Sequence, residues 1–257
     1  MGTSSNHPGS GPNTPLVPPW ADPDGTEPSP PPEPKRFKDF RTALGRFASG
    51  GDQADLRSAL KHFAGKASGG AATGARRFTA MAGAGAGAIL AFGGPGGIGG
   101  ALERAGVDLA ALRGASLERV VEEIARAFAP DNGDHDKVET ALRGALLIVL
   151  EKIPDFDVEN FGGFTEDQYV ELMAAFLENC VFEHIMSEAD AAWDKAATPA
   201  VQLDREKDLR ILIRTAVGQH LQPLVDAGIT NMNRDGLVAA QRTVVQGVLQ
   251  NWEDYGD

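Results

Sequence analysis

The sequence contains little that would support covalent cross-linking or thiolate chemistry. Cys180 is the only cysteine in 257 residues, which excludes an intramolecular disulfide framework and a zinc site built on cysteine pairs. The residues around Cys180 are apolar at helical spacing, so we interpret it as a core residue. A single thiol also fits a reducing compartment. We therefore expect a cytoplasmic protein that needs no cofactor.

A long hydrophobic run is also missing, and so is the apolar core of a secretory signal peptide. The uncharged stretch 80–102 has the length of a membrane span. It consists mostly of Gly and Ala, however, with few large apolar side chains. We therefore predict that residues 81–100 form a Gly/Ala-rich connector or a small-residue packing segment. Insertion into a membrane by an effector protein is the less favoured alternative.

Motifs that would indicate an enzyme are absent as well. The sequence has no zinc-protease helix, no di-iron Glu-x-x-His pair and no Walker A loop. Residues Gly94–Gly99 match the G-x-G-x-x-G sequence of dinucleotide-binding loops, but no predicted strand precedes them, as that motif requires. His220 lies on an apolar helix stripe, which favours a core role. His184 with Glu183 and Glu188 is too sparse for a metal site. We predict no catalytic residues and no metal site.

The net charge of −12 is divided unevenly along the chain. Residues 1–34 carry −4, residues 35–80 carry +7 and residues 101–257 carry −15. The basic segment 35–80 could bind the phosphates of a nucleic acid, or it could dock on the acidic half or on an acidic partner. Its aromatic residues are all Phe and recur at helix-face spacing, unlike a base-stacking platform. We therefore favour docking over a nucleic-acid-binding adaptor.

The remainder of the chain has the hydrophobic periodicity of α-helices. In the acidic domain 101–257, five apolar stripes at spacing 3 and 4 predict five helices, with Ser116 as a helix N-cap and Thr165–Gln168 as a capping box. Two short helices are predicted in the basic segment. We therefore predict a mainly α fold, a helical bundle of about five to seven helices preceded by a disordered N-terminal arm.

That arm, residues 1–34, contains 11 of the 16 prolines and no Lys or Arg. Such a composition buries too little apolar area to offset the loss of backbone entropy, so we predict disorder. One apolar cluster, Pro15 to Trp20, interrupts the polar residues. A cluster of this kind is more typical of a ligand that is presented to a partner than of a linker. An idle terminus is the alternative.

Two motifs in this arm resemble the start of the B component of the bacterial Qat anti-phage defence system. They are Met-Gly-Thr-Ser-Ser at residues 1–5 and Pro-Leu-Val-Pro-Pro-Trp-Ala-Asp at residues 15–22. The order of a Pro-rich tail, a Gly/Ala-rich middle and an acidic helical half is similar too. The resemblance implies partner proteins: an ATPase, a QueC-like enzyme and a TatD-like nuclease.

The resemblance further implies that the QueC-like enzyme joins a 7-deazaguanine to the N-terminal glycine. In this sequence that glycine is Gly2, after removal of Met1. The residues themselves fit such a reaction, because an α-amine with a pKa of about 8 is partly neutral and nucleophilic near pH 7. We expect Thr3, Ser4 and Ser5 to contact the enzyme's channel. The partner would also bind Pro15, Leu16, Val17, Pro18, Pro19 and Trp20, with Trp20 as the anchor.

Overall fold

The computed structural model describes residues 11, 13–22, 25, 28–161 and 163–256, without the side chain of residue 230. Within these residues the secondary structure is helical and no strand occurs. The ten α-helices are α1 (Lys38–Ala48), α2 (Gln53–His62), α3 (Ala71–Arg77), α4 (Thr79–Phe92), α5 (Gly97–Arg104), α6 (Leu117–Phe128), α7 (His135–Leu150), α8 (Glu166–Ala189), α9 (Pro199–Asp226) and α10 (Arg234–Glu253). The mainly α fold is therefore confirmed.

The predicted number of five to seven helices is wrong, because the described residues contain ten. The three extra helices are α3, α4 and α5, which follow one another between residues 71 and 104. In α3 and α4 periodicity gave no signal because Gly and Ala provide no clear apolar stripe, and in α5 the stripe is limited to Ile98, Ala101 and Leu102. The predicted Gly/Ala-rich connector, residues 81–100, therefore lies mostly in α4 and α5.

Helix starts that depend on side-chain caps are found where the sequence predicts them. The Ser116 hydroxyl accepts a hydrogen bond from the Arg119 N–H at the start of α6. Before α8, the Thr165 N–H donates to the Gln168 side chain at 2.8 Å and the Gln168 N–H donates to the Thr165 hydroxyl at 3.3 Å. This reciprocal capping box satisfies two backbone donors that the helix leaves unpaired.

Contacts between residues divide the chain into two compact units. Unit 1 comprises Met1–Phe78, Val181–Val217 and Thr243–Asp257, and unit 2 comprises Thr79–Cys180 and Gly218–Arg242. The unit boundaries fall inside α8, α9 and α10, so each of these helices contributes residues to both units. Unit 1 thus combines the basic segment with parts of the acidic half.

The core of unit 1 is aromatic. Phe40, Phe47, Phe63 and Phe78 are at most 2% exposed, and α1 packs against α2. The Phe40 and Phe63 ring centroids lie 5.2 Å apart. His184, which the sequence analysis considered only as a metal ligand, packs edge-on against Phe63 and Phe78 at 5.5 and 5.1 Å and is therefore part of this core.

The core of unit 2 is built around α4, which packs against α5, α6 and α7. Gly85 lies directly against the ring of Phe176, and a Cβ atom at this position would overlap that ring. Phe176 itself is fully buried. The small residues of α4 thus let a neighbouring helix approach, as the small-residue packing alternative predicted.

Candidate functional site

Residues 13–22 form an irregular segment on unit 1 that we call the N-terminal clamp. The Ala21 N–H donates to the Pro18 carbonyl at 2.9 Å, which closes a turn with Pro19 at its second position. The Thr14 N–H donates to the Gly11 carbonyl at 3.1 Å. Proline at the second turn position fixes a suitable φ angle, so the sequence itself favours this turn.

The inner face of the clamp is apolar. Leu16 is 8% exposed, and Val17 and Ala21 are also buried. Leu16 packs on Gly69, where an added Cβ would come within 2.6 Å of a Leu16 methyl carbon. Gly69 has a φ of +73°, so glycine serves both the turn and the close approach of Leu16. Gly69, two residues before α3, thus provides the recess that holds Leu16 of the clamp.

One ion pair holds the end of the clamp. Arg76 of α3 donates from Nε to an Asp22 carboxylate oxygen at 2.9 Å. The Asp22 side chain is 7% exposed and the Arg76 side chain 17% exposed, so little solvent screens the pair. A charge-assisted hydrogen bond in such surroundings is stronger than one at an open surface. The clamp is therefore fixed at both Leu16 and Asp22.

Residues 13–22, which the sequence analysis placed in a disordered arm over residues 1–34, thus lie against the helices of unit 1 in the structure. The apolar residues that suggested a ligand for another protein are instead partly buried against this chain's own helices. Burial of Leu16, Val17 and Ala21 supplies the hydrophobic free energy that composition alone did not indicate. The outer face differs: Pro15 and Pro19 are exposed and Trp20 is 42% exposed.

Of the predicted site residues, Pro15 to Trp20 all lie in the clamp, and the structure separates them into inner and outer residues. The predicted acceptor Gly2 and the predicted channel contacts Thr3, Ser4 and Ser5 lie outside the described residues. The sequence analysis missed Gly69, Asp22 and Arg76 as parts of the clamp. Asp22 directly follows the apolar cluster, but nothing local in the sequence links it to Arg76.

Among the described residues that follow the clamp, the first buried ones are Arg36 and Phe37. The Arg36 guanidinium lies 4.6 Å from the Phe37 ring centroid, and the Arg41 guanidinium lies 4.9 Å from the same centroid. Burial lowers the pKa of Arg36 from its ordinary value, and the nearby carboxylate of Glu188 opposes that shift. Residues 28–35, between the clamp and Arg36, are exposed or half-buried.

Many cations of the basic segment 35–80 contact carboxylates or carbonyls of unit 1. Arg41 donates to the Glu188 carbonyl at 2.9 Å and pairs with Asp190 at 3.3 Å. Further pairs join Arg46 to Asp55, Lys66 to Asp39 and Arg76 to Asp22. Glu188 and Asp190 belong to the acidic half, whereas Asp55, Asp39 and Asp22 lie within residues 1–80. Arg41 thus makes the kind of contact that docking on the acidic half requires, and nucleic-acid binding by the basic segment stays an alternative.

The helix α4 covers most of the stretch that had the length of a membrane span. Seven of its residues are buried in the fold: Met81, Ala82, Gly85, Ala86, Ala88, Ile89 and Phe92. Among the described residues, none of the helices combines the length and apolar character needed to cross a bilayer. The apolar surface of α4 thus already has protein partners.

An open surface cleft in unit 2 is lined by Glu103, Asp108 and Glu159 together with small apolar residues. Arg113 donates to Glu159 at 2.9 Å and neutralises part of this charge. Within the ranges that the structure describes, no three His, Cys, Asp or Glu side chains are grouped to hold a metal ion. Cys180 is buried.

Comparison with known proteins identifies the family. No curated protein and no solved structure matches this chain. The family described as "Qat anti-phage system associated protein QatB" matches residues 69–251, which is well over half of the sequence. That match includes Gly69 and Arg76, the two clamp contacts in the helical part of unit 1. The chain therefore belongs to the QatB family of anti-phage defence components.

Proposed function

We propose that this protein is a non-catalytic component of the defence system and that its Gly2 amine is the acceptor for modification by a QueC-like partner enzyme. Membership of the QatB family supports the role in defence. The N-terminal motifs, which resemble the B component of the Qat system, support the acceptor. The ATPase and the TatD-like nuclease of such a system are further candidate partners.

The reaction requires a nucleophile from this chain and activation by the partner. On the enzyme, ATP would transfer AMP to the oxygen of an exocyclic carboxyl or carboxamide group of the 7-deazaguanine and release pyrophosphate, which gives the exocyclic carbon an AMP leaving group. The neutral Gly2 amine forms a nitrogen–carbon bond, the leaving group departs and the nitrogen loses a proton. Glycine puts no side chain beside the reacting nitrogen, and its α-amine has a pKa of about 8. The product is an amide or amidine-type linkage.

The observation that carries this proposal is the clamp. Leu16 and Asp22 are held by Gly69 and Arg76, so the chain before the clamp starts from a fixed base. Residues 2–12 are Gly, Ser, Thr, Asn, Pro and one His, all small or slender enough to enter a narrow active site. A fixed base also reduces the entropy that is lost when the segment binds.

The acceptor can be tested by intact-mass spectrometry of the chain co-expressed with its partner enzyme. We expect the wild type to gain the mass of one 7-deazaguanine group, and fragment ions to place it on Gly2. Gly2→Pro should abolish the gain because it replaces the primary amine with a hindered secondary amine. An N-terminal extension that leaves Gly2 internal should abolish it as well.

Asn6→Ala provides the matched control, since it alters the same segment but leaves the amine intact. This variant should be modified like the wild type. The same spectra report whether Met1 has been removed from each variant. A mass gain on the chain with an extended N-terminus would contradict the assignment of Gly2 as acceptor.

A further inference from the structure

The clamp limits how far Gly2 can reach from unit 1. Twelve residue steps separate Gly2 from Thr14, and at about 3.3–3.6 Å per step a fully extended chain spans about 40 Å. Without the clamp, the first buried residue in the part of the chain that the structure describes is Arg36. The same calculation over 34 steps gives a span of about 110 Å. The clamp thus shortens the maximum reach by more than half.

The outer face of the clamp carries an exposed apolar side chain, that of Trp20. Trp20 is 42% exposed although Leu16, Val17 and Ala21 on the same segment are buried. A Trp side chain that remains partly exposed in the folded protein is a common anchor in protein interfaces. Pro19 beside it is exposed and fixes the turn that presents the indole.

We propose that the clamp acts as a ruler and a docking surface: the enzyme that modifies Gly2 binds the face around Pro19 and Trp20, with its active-site entrance between about 25 and 40 Å from Thr14. This inference rests on the proposed function, because it assumes that Gly2 is the acceptor. It narrows the predicted partner-binding cluster to the outer face of the clamp and adds a reason for the length of the leading segment. The clamp is held by the apolar contacts of Leu16 and by the Asp22–Arg76 pair. The segment between Gly2 and Thr14 therefore keeps a constant length.

The ruler is tested by changing the length of the leading segment. Deletion of residues 6–10 preserves Gly2 to Ser5, the Gly11 acceptor of the Thr14 N–H and the clamp, but it removes about 17 Å of reach. We expect the rate of modification at saturating enzyme to fall about tenfold or more, because the amine no longer reaches the reacting carbon. Replacement of residues 6–10 by a Gly/Ser spacer of equal length should leave the rate within about twofold of the wild type. If the Gly/Ser variant were modified much more slowly than the wild type, the ruler proposal would be wrong, because the sequence of the segment and not its length would then determine the rate.

The decisive variant combines the shortened leading segment with substitutions that release the clamp. Leu16→Asp with Val17→Asp places two carboxylates in an apolar recess, which should detach the segment. Faster hydrogen exchange at the Ala21 N–H, which is bonded to Pro18, reports the release directly. We expect the released, shortened chain to be modified about tenfold faster than the clamped, shortened chain. Release without any gain in rate would overturn the ruler.

The docking surface is tested by the affinity of the enzyme for two alanine variants. Trp20 and Ile211 are both exposed apolar residues of unit 1. Trp20→Ala should raise the dissociation constant about tenfold or more, whereas Ile211→Ala should change it less than about threefold. An equal or larger effect of Ile211→Ala would place the partner elsewhere. Absence of a mass gain on the wild type would refute the acceptor itself, whereas hydrogen exchange would still measure the clamp.

Discussion

The clamp and α4 are two segments of biased composition that reach order in opposite ways. The clamp, residues 13–22, has large apolar side chains on an irregular, proline-rich backbone, and Leu16 enters the recess at Gly69. Helix α4 has a regular backbone with few large side chains, and its Gly85 receives Phe176 from another part of unit 2. In both cases a glycine provides the space that a distant large side chain fills.

This difference indicates that composition alone is a poor guide to order when the complementary surface lies far away in sequence. In the clamp, the proline-rich segment provides the side chain of Leu16, and Gly69 provides the recess that receives it. In α4, the helix provides the recess at Gly85, and Phe176 from α8 provides the side chain. Close packing fixes the backbone in both places. If either side chain left its recess, the atoms that line the recess would lose their dispersion contacts.

The largest expected effect comes from filling the recess in α4. Gly85→Ala would place a Cβ into the buried Phe176 ring. We expect the free energy of unfolding to fall by about 2 kcal/mol, because overpacking exceeds the gain in helix propensity. Urea denaturation of the full-length chain measures the change.

Gly87→Ala in the same helix is the matched control. A Cβ at Gly87 meets no atom within 4 Å, so only the propensity gain remains. We expect this variant to be more stable than the wild type by about 0.5–1 kcal/mol. A loss of stability in both variants would mean that the helix needs glycine for a reason other than contact with Phe176.

The sequence predicted the parts of the fold that depend on local patterns. Ser116 and the Thr165–Gln168 pair are local signals, and the helices they start are found in the structure. The contact of Gly85 with Phe176 leaves no such signal, because glycine has no side chain to join an apolar stripe. Local rules therefore predicted amphipathic helices and failed for α3, α4 and α5.

The candidate site was predicted only in part for the same reason. The cluster Pro15 to Trp20 was recognised as unusual, since apolar residues stood out in a polar, proline-rich segment. Its attachment to Gly69 and Arg76 joins residues more than 50 positions apart, and no periodicity connects them. The sequence thus indicated that these residues bind something, and the structure identifies this chain as the partner of the inner face.

A smaller effect is expected when the clamp loses its apolar contact. Leu16→Ala removes a buried side chain, a change that costs about 2–5 kcal/mol in a closed core. The clamp can detach while the helices stay folded, which limits the loss of global stability to about 1 kcal/mol. Hydrogen exchange at the Ala21 N–H should accelerate more than exchange in α1 or α2.

Leu203→Ala makes the same chemical change at a residue of unit 1 that is 54% exposed. It should leave both the free energy of unfolding and the exchange at Ala21 unchanged within about 0.5 kcal/mol. Equal effects of the two substitutions would show that burial of Leu16 does not hold the clamp.

The smallest effect concerns a second irregular segment, the loop that carries Phe156, Phe161 and Phe164. Its backbone is held by polar groups: Asp157 accepts hydrogen bonds from the Asn160 side chain at 2.6 Å and from the Glu159 N–H at 3.1 Å. These bonds, in that order, lower the pKa of Asp157 from its ordinary value, with a smaller contribution from Arg113. A carboxylate whose pKa is lower in the folded state stabilises the fold above its unfolded pKa of about 3.9. That contribution is lost as the pH falls through the folded pKa.

Asp157→Asn keeps an oxygen acceptor but removes the charge. We therefore expect the wild type to be slightly more stable than this variant at pH 7 and pH 5, and the difference to shrink by pH 3. Urea denaturation at the three pH values measures it. Leu16→Ala should show no comparable narrowing, because the side chain it removes does not titrate. A difference between wild type and Asp157→Asn that stays constant down to pH 3 would mean that the ionised carboxylate does not hold the loop.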